Sequence, residues 1–138
     1  MSEDIFKIRK DVERAKSIFN LAKDRYELVN IYPREKIYKI VEEYYESIKE
    51  LIVSLMYFDG FKSLSHVKMI GWFSKNYNVL SESEIKLIDK LRKLRNGTLY
   101  YGEKVNKIFL DNNEKIIKEI LDKLIKFVGE KYHGKSKN

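Results

Sequence analysis

The sequence of 138 residues contains no cysteine and no glutamine, and only one proline and six glycines. The absence of cysteine excludes disulfide bonds and thiolate metal sites. Two histidines, His66 and His133, are too few for a histidine-based metal site, and we expect neither a metal nor another cofactor. The scarcity of proline and glycine predicts long regular elements with few breaks. A lack of glutamine together with abundant lysine and glutamate is a trend of thermophilic proteins.

Long uncharged apolar runs are also missing, and charged residues begin at Glu3. A bilayer-spanning helix needs about 20 predominantly apolar residues, so we expect no membrane partner and a cytoplasmic location. Hydrophobic residues make up 43% of the chain and charged residues 36%. This mixture is typical of a folded domain with a densely charged surface, and the length suits one domain.

Positive charge is concentrated in the middle of the chain. Residues 62–107 carry 10 basic and 4 acidic side chains, a balance of +6, whereas residues 1–61 balance at −1 and residues 108–138 at +2. Such an asymmetry is expected of a protein that binds a polyanion. A solvated, lysine-rich surface would give the same pattern, so both interpretations stay open.

Apolar residues recur at helical spacing in five segments of the chain. The first predicted helix covers residues 4–30, and Pro33 precedes a second helix with a wider apolar face. This second helix is therefore the predicted central one, and Asp59-Gly60 ends it. Ser63 or Ser65 is expected to cap a shorter third helix, and residues 76–78 are predicted to form a loop.

The last two predicted helices carry capping signals. Ser81-x-x-Glu84 forms a capping box before the fourth helix, which Gly97 interrupts and Gly102 ends. Asp111-x-x-Glu114 is expected to cap the fifth helix, which Gly129 stops. Because no segment shows the alternation of a strand, the predicted fold is all-α, an up-and-down bundle of about five helices. Residues 1–130 form the predicted domain and residues 131–138 a flexible polar tail.

Unusual polar groups stand at the end of the fourth predicted helix, in Leu94-Arg95-Asn96-Gly97-Thr98-Leu99-Tyr100-Tyr101-Gly102. Side chains five positions apart, such as Arg95 and Tyr100, diverge by about 140° around a regular helix. They converge only through the length of the arginine or through a break at Gly97. A glycine inside a helix costs roughly 1 kcal/mol relative to alanine, and either a site or a fraying helix end would use one here.

This segment resembles the signature of the HEPN domains, small helical bundles in which an arginine, often followed by asparagine, precedes a histidine by four to six residues. The stretch from Gly60 to His66-Val67 also resembles the start of the family's third helix. The likeness covers most of the chain as an order of helices, but only about ten residues as a specific motif. In active members, the resemblance implies, the arginine and histidine act in metal-independent RNA cleavage across a homodimer cleft.

Arg95 and Asn96 match the motif, but its histidine position falls on Tyr100 or Tyr101. RNA cleavage without a metal needs a proton acceptor and a proton donor. Tyrosine ordinarily has a pKa near 10, so about one in a thousand is ionised at pH 7. We therefore expect a binding version of the fold, with Arg95, Asn96, Tyr100 and Tyr101 at the site and nuclease activity lost or weak.

The expected ligand is RNA or a nucleotide, held in a basic cleft around Arg95. The cationic residues expected to contact phosphate are Lys90, Arg92, Lys93, Arg95 and Lys104. This expectation requires an exposed Arg95, and its alternative is an ion pair within the bundle. The lysines could equally form a solvated helix face, and at least one of Tyr100 and Tyr101 is expected in the core.

Other titratable residues are given structural interpretations. His66 is interpreted as a packing or capping residue rather than a distant catalytic imidazole. Glu42, Glu43 and Glu46 resemble paired carboxylates, but no metal-ligand histidine lies near them in sequence, so they are interpreted as surface charge.

The resemblance further implies a homodimer and a small nucleotidyltransferase partner in a toxin–antitoxin-like module. In such modules the partner modifies a tyrosine near the motif, and Tyr100 and Tyr101 are candidates by position. Two alternatives stay open. One is a divergent metal-independent ribonuclease that uses Arg95 and a tyrosine, and the other is a protein-interaction module without nucleic-acid affinity.

Overall fold

The computed structural model describes residues 4–102 and 104–135, and in these residues it contains five α-helices and one small sheet. In chain order the elements are β1 (Ile5–Lys7), α1 (Val12–Leu28), a 3-10 turn (Val29–Ile31), α2 (Ile37–Asp59), β2 (Phe61–Ser63), α3 (His66–Asn76), α4 (Glu82–Tyr101) and α5 (Lys107–Lys135). The helices pack as a bundle, so the predicted all-α class is confirmed. Among the helices in these residues, none combines the length and the apolar character needed to cross a bilayer.

The central helix is α2, as predicted, because apolar side chains cover most of its circumference. Its fully buried apolar residues are Ile40, Val41, Tyr44, Tyr45, Ile48, Leu51, Ile52 and Leu55. A helix that is apolar on nearly every side is stable only where other elements cover it. The helices α1, α3, α4 and α5 all pack against α2 and supply that cover.

Several helices begin or end at the capping residues that the sequence predicts. Gly60 follows α2 with a φ of 88°, and a β-carbon there would lie 2.9 Å from the carbonyl oxygen of Ile8. Glycine is therefore required at this position. Ser65 caps α3, and both hydrogen bonds of the Ser81–Glu84 capping box are present.

The prediction that the first helix begins at Asp4 is wrong. Ile5–Lys7 forms β1, which pairs antiparallel with β2 so that Ile5 lies opposite Ser63. The first helix begins only after Asp11, whose carboxylate accepts a hydrogen bond of 3.0 Å from the amide of Arg14. A strand of three residues is too short to show alternation, and its isoleucine continues the apolar spacing of the helix that follows.

The prediction that Gly97 interrupts the fourth helix is also wrong, because α4 continues through it to Gly102, which has a φ of 67°. The fifth helix begins at Lys107 rather than at Asp111. The side-chain oxygen of Asn106 accepts a hydrogen bond of 2.8 Å from the amide of Ile108 and so caps α5.

The fifth helix does not end at Gly129. It continues to Lys135, so the prediction of a flexible tail is wrong for residues 131–135. Residues 136–138 lie outside the described residues. Tyr132 explains the longer helix, because its buried ring packs edge-on against Phe19 with centroids 5.5 Å apart and its hydroxyl shares a hydrogen bond with Ser54. This tertiary contact outweighs the modest helix-breaking tendency of one glycine.

Candidate functional site

Arg95 lies on the inward face of α4. It follows Ile88 by seven residues and Leu91 by four, and both of these are fully buried. The side chain therefore points towards α2, where its Nη2 atom lies 2.8 Å from Oε1 of Glu46. Its side chain is only 17% exposed. The expectation of an exposed Arg95 is therefore wrong, and the guanidinium forms an ion pair within the bundle.

Glu46 is the anion at the centre of this region. Lys49 approaches its other oxygen, with Nζ 2.7 Å from Oε2. Burial alone would raise the pKa of Glu46, but the hydrogen bond from Lys49 and the charges of Lys49 and Arg95 hold that pKa below its ordinary value. The interpretation as surface charge is wrong for Glu43 and Glu46, which are both buried and ion-paired.

His66, the first residue of α3, faces the same group of side chains. Its Nδ1 atom lies 3.0 Å from the hydroxyl of Tyr45. Burial, followed by the positive charges of Lys49 and Arg95, lowers the pKa of His66. Burial therefore favours the neutral form of its imidazole. We call Tyr45, Glu46, Lys49, His66 and Arg95 the Arg95 cluster.

The Arg95 cluster combines residues of three helices that are distant in sequence, and its arginine is incompletely hydrogen-bonded. Within the part of the chain that the structure describes, Nε of Arg95 is buried and has no hydrogen-bond partner. Among the described residues, its Nη1 atom has one contact, a long one of 3.4 Å with the side-chain oxygen of Asn96. Asn96 therefore contacts the guanidinium through this one long hydrogen bond.

The two tyrosines of the motif stand outside the core. Tyr100 is 67% exposed and Tyr101 is 78% exposed, so the expectation that at least one belongs to the core is wrong. In the described residues no hydrogen bond joins either tyrosine to Arg95. The motif is thus divided between an arginine that faces α2 and aromatic rings that face solvent.

A cleft of about 390 Å³ lies between the end of α4 and the start of α2. Its lining residues are Glu35, Ile37, Tyr38, Thr98, Gly102, Lys104 and Val105. We call it the α4-end cleft. Among the described residues, its lining includes one cationic side chain, Lys104, and one carboxylate, Glu35.

The first turn of α2 gives this cleft a further source of positive potential. That turn contains no acidic residue, and no side chain among the described residues caps it, because Lys36 stands at the N-cap position. The first amide groups of a helix have no partner within the helix, and the helix dipole adds to their attraction for anions. Sequence reasoning missed this feature, although a lysine where a helix usually has serine or aspartate was its signal.

The other predicted phosphate contacts are distributed along α4 rather than gathered in one place. Nε of Arg92 donates a hydrogen bond of 2.9 Å to Asp89, and Nζ of Lys93 lies 3.4 Å from the same carboxylate. The ammonium group of Lys90 lies over the ring of Phe109, 5.9 Å from its centroid. Of the predicted basic residues, the structure brings only Lys104 into the α4-end cleft.

Within residues 4–102 and 104–135, no group of three or more histidine or carboxylate side chains is placed to hold a metal ion.

Comparisons with family models, curated proteins and solved structures find no match to this chain. The HEPN resemblance therefore depends on residues 60–67 and 94–102 and on the order of the helices.

Proposed function

We propose that this chain is a HEPN-like domain that binds RNA or a nucleotide at the α4-end cleft. One observation supports this most: exposed Tyr100 and Tyr101 lead directly into Gly102, which lines a cleft with a lysine and an uncapped helix start. Phosphate is recognised by the ammonium group of Lys104 and the first amide groups of α2. Bases stack on the exposed tyrosine rings.

Arg95 acts as a positioning residue in this proposal rather than as the phosphate contact. Its ion pair with Glu46 joins α4 to α2, the two helices between which the cleft lies. In this proposal the phosphate contact is therefore Lys104, rather than Arg95 as the sequence motif indicates.

Fluorescence anisotropy with a labelled single-stranded oligoribonucleotide tests the electrostatic part of the proposal. Affinity is expected to fall steeply between roughly 50 and 200 mM salt. Lys104→Glu should weaken binding and lower the slope of log K against log salt by about 0.7 for each lost phosphate contact. Lys16→Glu, an exposed lysine of α1 with the same charge change, is the matched control and should leave the slope unchanged.

The aromatic part is tested by Tyr101→Ala in the same assay. Loss of one stacked base is worth about 1–3 kcal/mol, which corresponds to a weakening of roughly 5- to 150-fold. Phe6→Ala removes an exposed aromatic ring of β1 and serves as the control. An affinity that does not depend on salt, or equal losses in test and control variants, would count against this function.

We also propose that the domain is a homodimer. Exposed apolar residues at this end of the molecule, Leu99, Tyr100 and Ile108, support a partner surface. Light scattering should give twice the monomer mass of 16.6 kDa. A monomer at all protein concentrations would exclude the dimer without excluding nucleotide binding.

A nucleotidyltransferase is the proposed protein partner. The exposure of Tyr100 and Tyr101 supports this idea, because an enzyme must reach a phenol oxygen to transfer AMP from ATP to it and release pyrophosphate. Incubation with such an enzyme and ATP should raise the intact mass by one adenylyl group. Tyr100→Phe and Tyr101→Phe would identify the acceptor, and an unchanged mass of the wild-type chain contradicts the idea.

Weak ribonuclease activity is a second candidate, and one observation favours it. The Arg95 cluster contains the imidazole of His66, whose Nδ1 lies 3.0 Å from the hydroxyl of Tyr45 and whose neutral form burial favours, and this ring would supply the proton acceptor that the motif lacks. If this is correct, Arg95→Ala and His66→Gln each abolish cleavage of single-stranded RNA. Equal residual cleavage in both variants would indicate a contaminating nuclease.

A further inference from the structure

A larger groove, of about 710 Å³, lies between the two-stranded sheet and α3. One wall is a face of the sheet. Ile5 and Lys7 are two residues apart on β1 and share that face, and Phe61 lies opposite Lys7 on β2. An occupant of the groove would therefore contact the face of this small sheet rather than extend its edge as a third strand.

The other wall is one side of α3. Val67, Gly71 and Lys75 follow one another at intervals of four residues and all line the groove. A β-carbon on Gly71 would meet nothing within 4 Å, so no described part of this chain requires a glycine there. Glycine in a helix interior costs about 1 kcal/mol relative to alanine. An open glycine in the wall of an apolar groove allows the backbone of another helix to approach closely.

The charged residues that the structure places in the lining of the groove all have one sign. Lys7, Lys68 and Lys75 contribute to its lining, and none of the described residues that line it is acidic. The interior is apolar, with Trp72 packed against Phe61 at a centroid distance of 5.7 Å. An apolar floor between lysines is complementary to a segment with one apolar face and carboxylates on its flanks.

We propose that this groove, which we call the α3 groove, is a docking site for an acidic amphipathic helix of a partner protein. The 11 residues of α3 extend about 16 Å, so the groove accommodates roughly three turns of such a helix. A second copy of this chain is a poor occupant, because a symmetric contact would place the same three lysines against each other. This site is separate in its residues from the α4-end cleft and does not depend on nucleotide binding.

Trp72 provides a direct measurement, because it is the only tryptophan of the chain and it lines the groove. The probe is a synthetic three-turn peptide without tryptophan, with leucines on one helical face and glutamates on both flanks. Its control has lysine in place of every glutamate. The acidic peptide should change the fluorescence of Trp72 saturably, with an affinity that falls as salt is added and at least about tenfold tighter than that of the control.

Two variants test whether the peptide occupies this groove. Gly71→Leu fills the wall with a better helix former, so the fold should remain, as checked by circular dichroism, while the affinity drops at least about tenfold. Lys68→Glu combined with Lys75→Glu should reverse the preference between the two peptides. Lys126→Glu, an exposed lysine of α5, should leave the affinity unchanged.

Several results would overturn the proposal. Equal binding of both peptides would show that the lysines select nothing, and undiminished binding to a folded Gly71→Leu variant would place the peptide elsewhere. A Trp72 signal that changes with protein concentration alone would assign the groove to a second copy. A saturable response to anionic lipid vesicles, without any response to the acidic peptide, would assign it to a membrane surface.

Discussion

Two arginines reach the carboxylates of α2 from different sides, and they are satisfied to different degrees. Arg25 of α1 is held by two carboxylates. Its Nε lies 2.9 Å and its Nη2 3.4 Å from the oxygens of Glu50, and its Nη1 lies 2.7 Å from Glu43. Among the described residues, Arg95 of α4 has one ion pair, with Glu46, and its buried Nε has no partner.

The spacing along α2 explains the difference. Glu43 and Glu50 are seven residues apart and lie on nearly the same line of the helix, which faces α1. Glu46 lies about 60° around the helix from Glu43, where α4 packs, and Lys49 shares it. An arginine with a carboxylate partner at every nitrogen fixes the packing of two helices, whereas one with an unpartnered nitrogen retains hydrogen-bonding capacity. The incompletely bonded arginine is the one that belongs to the sequence motif.

The largest expected loss of stability is at Arg25, the arginine with two carboxylate partners. Arg25→Ala leaves the buried Glu43 and the partly buried Glu50 without their cation, which should lower the free energy of unfolding by about 2 kcal/mol. The expected loss is smaller than for a fully enclosed pair, because the Arg25 side chain is 29% exposed. Urea denaturation measures it. Arg34→Ala, whose side chain is 58% exposed, is the control and should cost less than about 1 kcal/mol.

Arg95→Met should cost less than Arg25→Ala, about 1 kcal/mol or below. Methionine retains much of the packing and removes the unpartnered Nε, while Lys49 still neutralises Glu46. The same urea denaturation experiment measures the loss of stability in both variants. If Arg95→Met destabilises the protein as much as Arg25→Ala, the two arginines are equivalent structural contacts and the comparison fails.

The pH dependence of stability offers a test of the Arg95 side alone. Burial next to Lys49 and Arg95 lowers the pKa of His66 below its ordinary value of 6.5. As the pH drops, the unfolded chain therefore binds a proton that the folded chain does not. The contribution of His66 to the free energy of unfolding is highest above about pH 6.5 and falls as the pH drops through that value.

The slope that one such group can give is at most about 1.4 kcal/mol per pH unit. Urea denaturation between pH 7 and pH 5 should show it, and His66→Gln should flatten it. Tyr45→Phe, which keeps the imidazole, is the control that should retain the slope. Glu46 acts at lower pH, because its pKa lies below the ordinary carboxylate value. A slope that persists in His66→Gln would show that other groups control this range.

The smallest effect on stability is expected at the exposed end of the motif. Tyr101→Ala should change the free energy of unfolding by less than about 0.5 kcal/mol, because the side chain is mostly in solvent. A loss above 1 kcal/mol, measured at several protein concentrations, would show that the ring is covered in solution. In that case its role is in an interface rather than in stacking on a base.

Local chemistry explains which parts of the fold the sequence predicts well. Gly60, Gly102 and the Ser81–Glu84 capping box set helix ends through their own backbone geometry or hydrogen bonds, so these boundaries agree with the structure. The wide apolar face of α2 likewise identifies the central helix. In contrast, the start of α1 and the end of α5 depend on β2 and on Ser54, partners that no local pattern reveals.

The features of the candidate site likewise fall into those set by local sequence and those set by tertiary contacts. By itself the sequence determined the five helices, the position of the motif at the end of α4 and the excess of positive charge around it, because composition and periodicity are properties of neighbouring residues. Only the tertiary structure decided that Arg95 meets Glu46, that His66 joins them, and that Lys104 faces the start of α2. Periodicity shows which face of a helix is buried, but the residue that meets that face is set by how the helices pack.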